Sequence, residues 1–140
     1  MKNLMSWEEC TREYLREVSV DTEKIDSIVE LACERLDFVR SISVTEKNVS
    51  FLFDDYYEIV KELLVALLLK NGRRSSNHQC LFSFFARKYS TYEAEIRVIQ
   101  QMNFLRNRLN YYGERVSYAY YKENYKSFER IIVLLLGLLK

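Results

Sequence analysis

The chain has 140 residues, of which 49% are hydrophobic and 29% charged, with a formal net charge of +1. A chain of this length buries a core without disulfide or metal cross-links, which excludes a small cross-linked scaffold and predicts one domain over residues 1–140. Proline is absent, glycine occurs three times, and Leu, Ile, Val, Phe and Tyr recur at spacings of three and four. This composition predicts an all-α fold.

Charge is distributed unevenly along the chain. Residues 1–70 contain 9 Lys or Arg and 15 Asp or Glu, whereas residues 71–140 contain 12 and 5, which gives net charges of −6 and +7. A basic half is compatible with an anionic partner, either nucleic acid or an acidic protein. The imbalance alone does not choose between the two.

The sequence predicts no targeting segment, no membrane span and no metal-binding motif. The start MKNLMSWEEC turns acidic too early for a signal peptide, and the apolar runs 63–69 and 131–139 are too short to cross a bilayer. We therefore expect a cytoplasmic protein with no membrane partner. Its three cysteines, Cys10, Cys33 and Cys80, fit no metal-binding spacing and are predicted to be free thiols in a reducing cytosol.

Capping signals predict the first two helices. Ser6 followed by Glu9 has the form of a capping box, in which each side chain satisfies a free backbone donor, and predicts a helix over 7–18. Asp21 is predicted to cap a second helix. Its apolar residues at helical spacing are Ile25, Ile28, Val29, Ala32, Leu36 and Val39.

A second capping box, Ser43 with Glu46, predicts the start of a third helix that is apolar on two faces and therefore central. It ends at Asn71-Gly72, because glycine adopts the left-handed conformation that closes a helix. One apolar seam is Phe53, Tyr56, Val60, Leu63 and Leu67, and the other is Tyr57, Leu64 and Leu68.

The second half of the chain predicts three more helices. After the loop GRRSSN, Ser76 or Asn77 starts a short helix through HQCLFSFFARK. Ser90, three residues before a glutamate, starts the next, which continues to Gly113, and the last helix occupies about 115–139. Because every connection is short, consecutive helices are antiparallel and the prediction is an up-and-down bundle of four to five helices.

The helix that ends in RNRLNYYG has one apolar and one polar face. Val98, Met102, Leu105, Leu109 and Tyr112 follow the spacing of a core stripe, and the opposite face begins with Ile96 and Ile99 and continues as a contiguous patch of Asn103, Arg106, Asn107 and Asn110. Asparagine is a poor helix former, so the patch indicates a role. It is either a seam that hydrogen-bonds across a homodimer or a cleft for phosphates and base edges.

Three segments resemble HEPN domains, prokaryotic helical domains often encoded beside a minimal nucleotidyltransferase. They are YYEIVKELLVALLLKNG, SSNHQCLF and above all RNRLNYYG, and the resemblance covers about residues 24–136, with the first helix as an addition. It implies a dimerising bundle of four to five helices with a cleft at the two-fold axis. In the nuclease members this cleft cleaves RNA without metal, using an arginine, its polar neighbour and a histidine four to six residues further on.

The match places the arginine and its polar neighbour at Arg106 and Asn107, but the expected histidine position is occupied by Tyr111, Tyr112 or Gly113. A phenol is a poor proton shuttle at neutral pH. Two alternatives are that Tyr111 binds a phosphate while Arg106 stabilises charge, or that His78 reaches the cleft from another helix. For His78, an exposed or capping role is the simpler expectation.

Other clusters have simpler explanations. The last helix carries an aromatic row, from Tyr118 to Phe128, beside a basic stripe of Lys122, Lys126 and Arg130. The aromatic row and basic stripe could together bind stacked bases, but the aromatic row is better explained as a core or dimer seam. Asp54, Asp55, Glu58 and Glu62 form an acidic ridge that we interpret as a solvated face, and we expect no metal or other cofactor.

The sequence therefore predicts a HEPN-like homodimer acting as a ribonuclease toxin with a nucleotidyltransferase antitoxin, or as a module that binds RNA, nucleotides or that partner. A purely structural dimer seam is the alternative. The predicted catalytic residues are Arg106, Asn107 and Tyr111, and the predicted binding residues are Asn103, Arg108, Asn110 and Tyr112.

Overall fold

The computed structural model describes residues 4–140, and all of its long elements are helices. The prediction of an all-α fold is therefore confirmed. The helices are α1 (Trp7–Glu9), α2 (Thr22–Ser41), α3 (Val49–Lys70), α4 (His78–Lys88), α5 (Glu93–Tyr112) and α6 (Tyr118–Leu138), and the two short strands are β1 (Leu15–Glu17) and β2 (Arg73–Ser75).

Several predicted helix ends are confirmed because each has a local chemical cause. The Asp21 carboxylate accepts from Lys24 N at 3.1 Å and starts α2, and the Asn77 amide oxygen accepts from Gln79 N at 2.8 Å and starts α4. Gly72 and Gly113 have φ values of +73° and +66°, the left-handed conformation that ends α3 and α5. These ends set the lengths of the helices that build the candidate site.

Two predicted capping boxes are wrong. α3 starts at Val49 and not after Ser43, because Asn48 and Thr45 bond each other reciprocally: Thr45 N donates to Asn48 Oδ1 at 2.7 Å and Asn48 N donates to Thr45 Oγ1 at 3.1 Å. These bonds form a capping pair two residues further along the chain than the predicted Ser43–Glu46 box. Ser90 likewise lies in a 3₁₀ turn, Ser90–Tyr92, that precedes α5.

The predicted N-terminal helix over 7–18 is also wrong. Only α1 and one π-helical turn, Cys10–Tyr14, are helical, and Ser6 caps α1 through a 3.2 Å bond from Glu9 N. The chain then extends into β1, which pairs antiparallel with β2, so that part of the predicted loop GRRSSN is a strand. Backbone pairing across distant segments leaves no periodic signal in three residues.

The cysteine prediction is corrected by the structure. Cys10 and Cys80 are fully buried and form a disulfide, with their Cα atoms 5.6 Å apart, and only Cys33 is a free cysteine. The bond attaches the N-terminal segment to α4. Ser83 Oγ strengthens that attachment by donating to the Met5 carbonyl at 2.6 Å.

The core is built around α3, which contacts α2, α4, α5 and α6. Fourteen of its 22 residues are buried, as predicted for a helix that is apolar on two faces. α6 contributes Tyr121, Phe128, Ile132 and Leu135 to this core, so its aromatic row is largely interior. Within residues 4–140, none of the helices has the length and apolar run needed to cross a bilayer.

An ion pair joins α2 to α6, and it makes the stability of the fold sensitive to acid. Arg40 Nη2 lies 2.6 Å from Glu129 Oε2, and the Tyr56 hydroxyl donates to Glu129 Oε1 at 2.9 Å. The hydrogen bond from Arg40 is the main reason that the pKa of Glu129 is lowered from 4.5, and the bond from Tyr56 acts in the same direction. A lowered pKa stabilises the fold above the unfolded value, and this stabilisation is lost as pH falls through the folded value.

We expect the unfolding free energy to fall as the pH decreases below the ordinary glutamate pKa of 4.5, and Glu129→Gln to reduce it at pH 7 by about 1 kcal/mol while flattening its dependence on acid. Urea unfolding at several pH values measures both. Equal acid sensitivity in the wild type and Glu129→Gln would show that this carboxylate does not cause the loss.

Candidate functional site

The polar face of α5 lies against α3, and the predicted core stripe is confirmed only in part, since Met102 is buried and Val98 and Leu105 pack against the core. Ile96 and Ile99 are buried and Arg106 is largely shielded, whereas Tyr112, predicted to end the core stripe, is 71% exposed. Met102 is the only member of the predicted stripe that is buried. α5 has apolar residues on both faces near its start, so periodicity alone did not identify the inner one.

Arg106 is held by two carboxylates of α3. Its Nε lies 3.6 Å from Asp54 Oδ1, its Nη2 lies 3.4 Å from Glu58 Oε1, and its guanidinium carbon is 5.2 Å from the centroid of the Tyr57 ring. With its amide oxygen facing the guanidinium, Asn110 accepts from Nε and Nη2 at 3.0 and 3.2 Å. Arg106 thus already has anionic and neutral acceptors within the chain.

Burial alters the titration of the groups around Arg106. It raises the pKa of Tyr57 to about 12, with Arg106 acting in the opposite direction, so the phenol is protonated and donates to Asn103 Oδ1 at 2.9 Å. It also raises the pKa of Asp54, again against the effect of Arg106. The result is a bonded polar contact between α3 and α5 in which Asn103 and Arg106 are both fixed.

His78, at the first position of α4, is influenced by the same charges. Partial burial is the main cause of its lowered pKa, and Lys61 and Arg106 lower it further, while Glu58 opposes them. His78 is therefore neutral at pH 7 and can accept a proton. His78 does not line the cleft described below but borders a separate depression with Lys24, Glu62 and Arg74.

A cleft lies between α4 and α5, on the other side of Asn103. Its volume is about 420 Å³, and among the described residues it is lined by four side-chain amides, four aromatic rings and one arginine, with no carboxylate. The amides are Gln79, Gln100, Asn103 and Asn107; the aromatic residues are Phe82, Phe104, Tyr111 and Tyr112; the arginine is Arg108.

The structure therefore divides the predicted site residues into two groups. Five of the seven line the cleft: Asn103, Asn107, Arg108, Tyr111 and Tyr112. Arg106 and Asn110 instead contact each other and α3. Asn103 belongs to both groups, because its oxygen binds Tyr57 while the residue borders the cleft.

Four residues of the cleft were not identified from sequence: Gln79, Phe82, Gln100 and Phe104. A signal for Gln100 existed, since Gln100, Asn103 and Asn107 stand at i, i+3 and i+7 and share one face of α5. The residues of α4 had no such signal, because only the tertiary structure brings that helix alongside α5.

Arg108 is positioned at the end of the cleft by a local ion pair. It bonds the Glu114 carboxylate, and its guanidinium carbon lies 5.6 Å from the Phe104 ring and 5.3 Å from the Tyr112 ring. Gly113 makes this possible because its left-handed turn ends α5 and returns Glu114 toward the helix, where Glu114 N bonds the Arg108 carbonyl at 3.2 Å. Tyr111 and Tyr112 extend beyond the pair, 73% and 71% exposed.

The remaining candidates do not form sites. In the acidic ridge, Asp54 and Glu58 pair with Arg106, and Lys61 lies 2.7 Å from Glu58 and 3.7 Å from Glu62. Over residues 4–140, no three His, Cys, Asp or Glu side chains are grouped so as to hold a metal ion. The basic stripe of α6 lies outside the cleft, and Lys126 and Arg130 are exposed.

Comparison of the chain with protein-family models, curated proteins and solved structures finds no match in any of the three.

Proposed function

We propose that this chain is a HEPN-like protein that binds single-stranded RNA or a nucleotide in the α4–α5 cleft, with an unpaired base as the group recognised. The observation that carries the proposal is the lining of four amides and four aromatic rings without a carboxylate. An unpaired base has a flat face that stacks on aromatic rings and an edge with both donors and acceptors, which side-chain amides match. Neither property is needed by a solvated helix face.

The electrostatics of the cleft support the same ligand class. Arg108 supplies the one positive charge, and its guanidinium already lies against Tyr112, so it is oriented before a ligand arrives. The pair with Glu114 is exposed and exchanges readily for a phosphate oxygen. We therefore assign base contacts to Asn107 and Tyr112 and a phosphate contact to Arg108.

A second candidate, a metal-independent endoribonuclease, is favoured by the position of His78. Arg106 contributes to the field at His78, so the pair offers the charge stabilisation and the proton acceptor that HEPN nucleases are expected to use. Against this candidate, Arg106 already forms ion pairs with two carboxylates of α3. Binding without cleavage therefore fits the geometry better.

The resemblance also provides the proposed setting: a toxin-antitoxin component that forms a homodimer and associates with a nucleotidyltransferase antitoxin. The alternative is a structural homodimer whose Asn and Arg patch is a buried seam. Asn103, Arg106 and Asn110 find their partners within one chain, so they do not require a second copy. A dimer seam at this end would instead cover the exposed rings of Phe104, Tyr111 and Tyr112.

We expect wild-type protein to bind a fluorescein-labelled mixed single-stranded RNA in EDTA, and Asn107→Ala and Tyr112→Ala each to weaken binding about tenfold. The first variant loses hydrogen bonds to a base edge and the second loses a stacking surface. Fluorescence anisotropy measures both. Gln100→Ala and Gln101→Ala form a matched pair, because Gln100 lines the cleft whereas its neighbour Gln101 is exposed outside it.

Equal weakening by Gln100→Ala and Gln101→Ala would place binding outside the cleft. If the wild type does not bind RNA, and sedimentation finds the same dimer with and without RNA, the structural alternative is favoured.

A further inference from the structure

A second polar surface surrounds Trp7, at the opposite end of α4 from the start of the cleft. The guanidinium carbons of Arg73 and Arg87 lie 5.3 and 5.7 Å from the centroid of the Trp7 ring. Lys88 Nζ lies 6.0 Å from the Phe84 ring, whose centroid is 6.1 Å from that of Trp7. These residues, with Asn71, line a depression of about 430 Å³ that we call the Trp7 site.

The cations of the Trp7 site are not neutralised by the chain. Among the described residues no carboxylate lines the depression, and neither Arg73, Arg87 nor Lys88 forms an ion pair. Lys88 bonds the neutral amide oxygen of Asn71. Glu17 stands opposite Arg73 in the β1–β2 pair but forms no ion pair with it. This differs from Arg106, for which α3 supplies two carboxylates.

Three like charges held close together repel each other, so their arrangement needs a cause. The negative face of the indole attracts both guanidiniums and restricts their orientation. Trp7 is itself fixed, because the Cys10–Cys80 bond and the Ser83–Met5 hydrogen bond attach its segment to α4. The site is therefore assembled before any ligand binds, which lowers the entropy cost of binding.

We propose that the Trp7 site binds phosphate groups, with Arg73 and Arg87 as the principal ligand-binding residues. A guanidinium fork matches the geometry of phosphate oxygens in two parallel hydrogen bonds, and the ammonium of Lys88 adds a point charge. An anion would also remove the repulsion between the three cations. This proposal does not depend on base binding in the α4–α5 cleft.

The positive surface extends beyond one phosphate. Arg73 also borders an adjoining depression of about 280 Å³, where Lys24 and Arg74 add positive charges against one carboxylate, Glu62. Cations spread over two adjoining depressions fit successive phosphates better than a single one. The shared ligand chemistry is therefore a chain of phosphates, found in a nucleic-acid backbone and in inorganic polyphosphate.

Trp7 is the only tryptophan of the chain, so its fluorescence reports directly on this site. We expect saturable changes in its emission on titration with sodium tripolyphosphate, with a short oligouridylate, or with both, at constant ionic strength. The probe that binds more tightly identifies the source of the phosphates. Arg73→Gln and Arg87→Gln should each weaken binding about tenfold, because each removes one charge-assisted contact.

Arg130→Gln is the matched control, since Arg130 is exposed on α6 and lies outside the Trp7 site. Asn107→Ala separates the two proposals: it should leave the Trp7 titration unchanged while weakening RNA binding in the cleft. The proposal is overturned if neither probe changes Trp7 emission, or if Arg130→Gln weakens binding as much as Arg73→Gln and Arg87→Gln do.

Discussion

Replacing both Cys10 and Cys80 by alanine is expected to lower the free energy of unfolding by about 4 kcal/mol. The disulfide joins residues separated by 70 positions, so it removes much conformational freedom from the unfolded chain, and the loss scales with the logarithm of that separation. The folded state is also destabilised, because the disulfide attaches α1 and β1 to α4. Urea unfolding with and without a reducing agent measures the change.

The control for this variant is Cys33→Ala, which removes the free, half-buried cysteine of α2 and leaves the disulfide intact. Thiol titration of the denatured protein should find one thiol per chain before reduction and three after it. Three thiols before reduction, together with the same urea midpoint in both conditions, would refute the disulfide and restore the prediction of free thiols.

Arg106→Ala is expected to destabilise the fold by about 2 kcal/mol. Removing one member of a fully buried ion pair costs roughly 3–5 kcal/mol, because the remaining charge has no partner. The side chains here are partly hydrated, with 21% exposure for Arg106, 35% for Asp54 and 20% for Glu58, so the expected cost is smaller.

Two further variants serve as controls for Arg106→Ala. Arg108→Ala, two positions along the helix, removes an exposed pair and should cost much less stability. Adding Asp54→Asn to Arg106→Ala should recover part of the loss, because the carboxylate left without its partner is then neutral. If Arg106→Ala instead abolishes RNA binding and leaves stability unchanged, Arg106 is a binding residue and our interpretation of its ion pairs is wrong.

Local signals predicted much of the fold. Asp21, Asn77, Gly72 and Gly113 determine helix ends through their own bonds or backbone angles, and the sequence contains that information. Ser43 shows the limit of such reasoning, since a neighbouring pair, Thr45 with Asn48, supplied a competing set of bonds. A capping motif predicts a helix start only where no neighbouring residues form a competing capping pair.

The features that were missed depend on contacts between distant segments. β1 and β2 are three residues each, and in the sequence β1 precedes α2 whereas β2 follows α3. Cys10 meets Cys80 because the same N-terminal segment approaches α4. The inner face of α5 was identified only in part, because Ile96 and Ile99 from the opposite face enter the core beside Met102. Five of the seven predicted site residues still line one cleft, since they follow each other along a single helix.

If the cleft amides contact an unpaired base, the NMR signals of their side chains change when RNA binds. With protein labelled at asparagine and glutamine side-chain nitrogen, a short oligouridylate is added in EDTA. We predict chemical-shift changes for Gln79, Gln100, Asn103 and Asn107, with the signals of Gln101 and Asn124 unchanged. Unchanged signals from the four cleft amides, or shifts confined to residues outside the cleft, would contradict the proposed function.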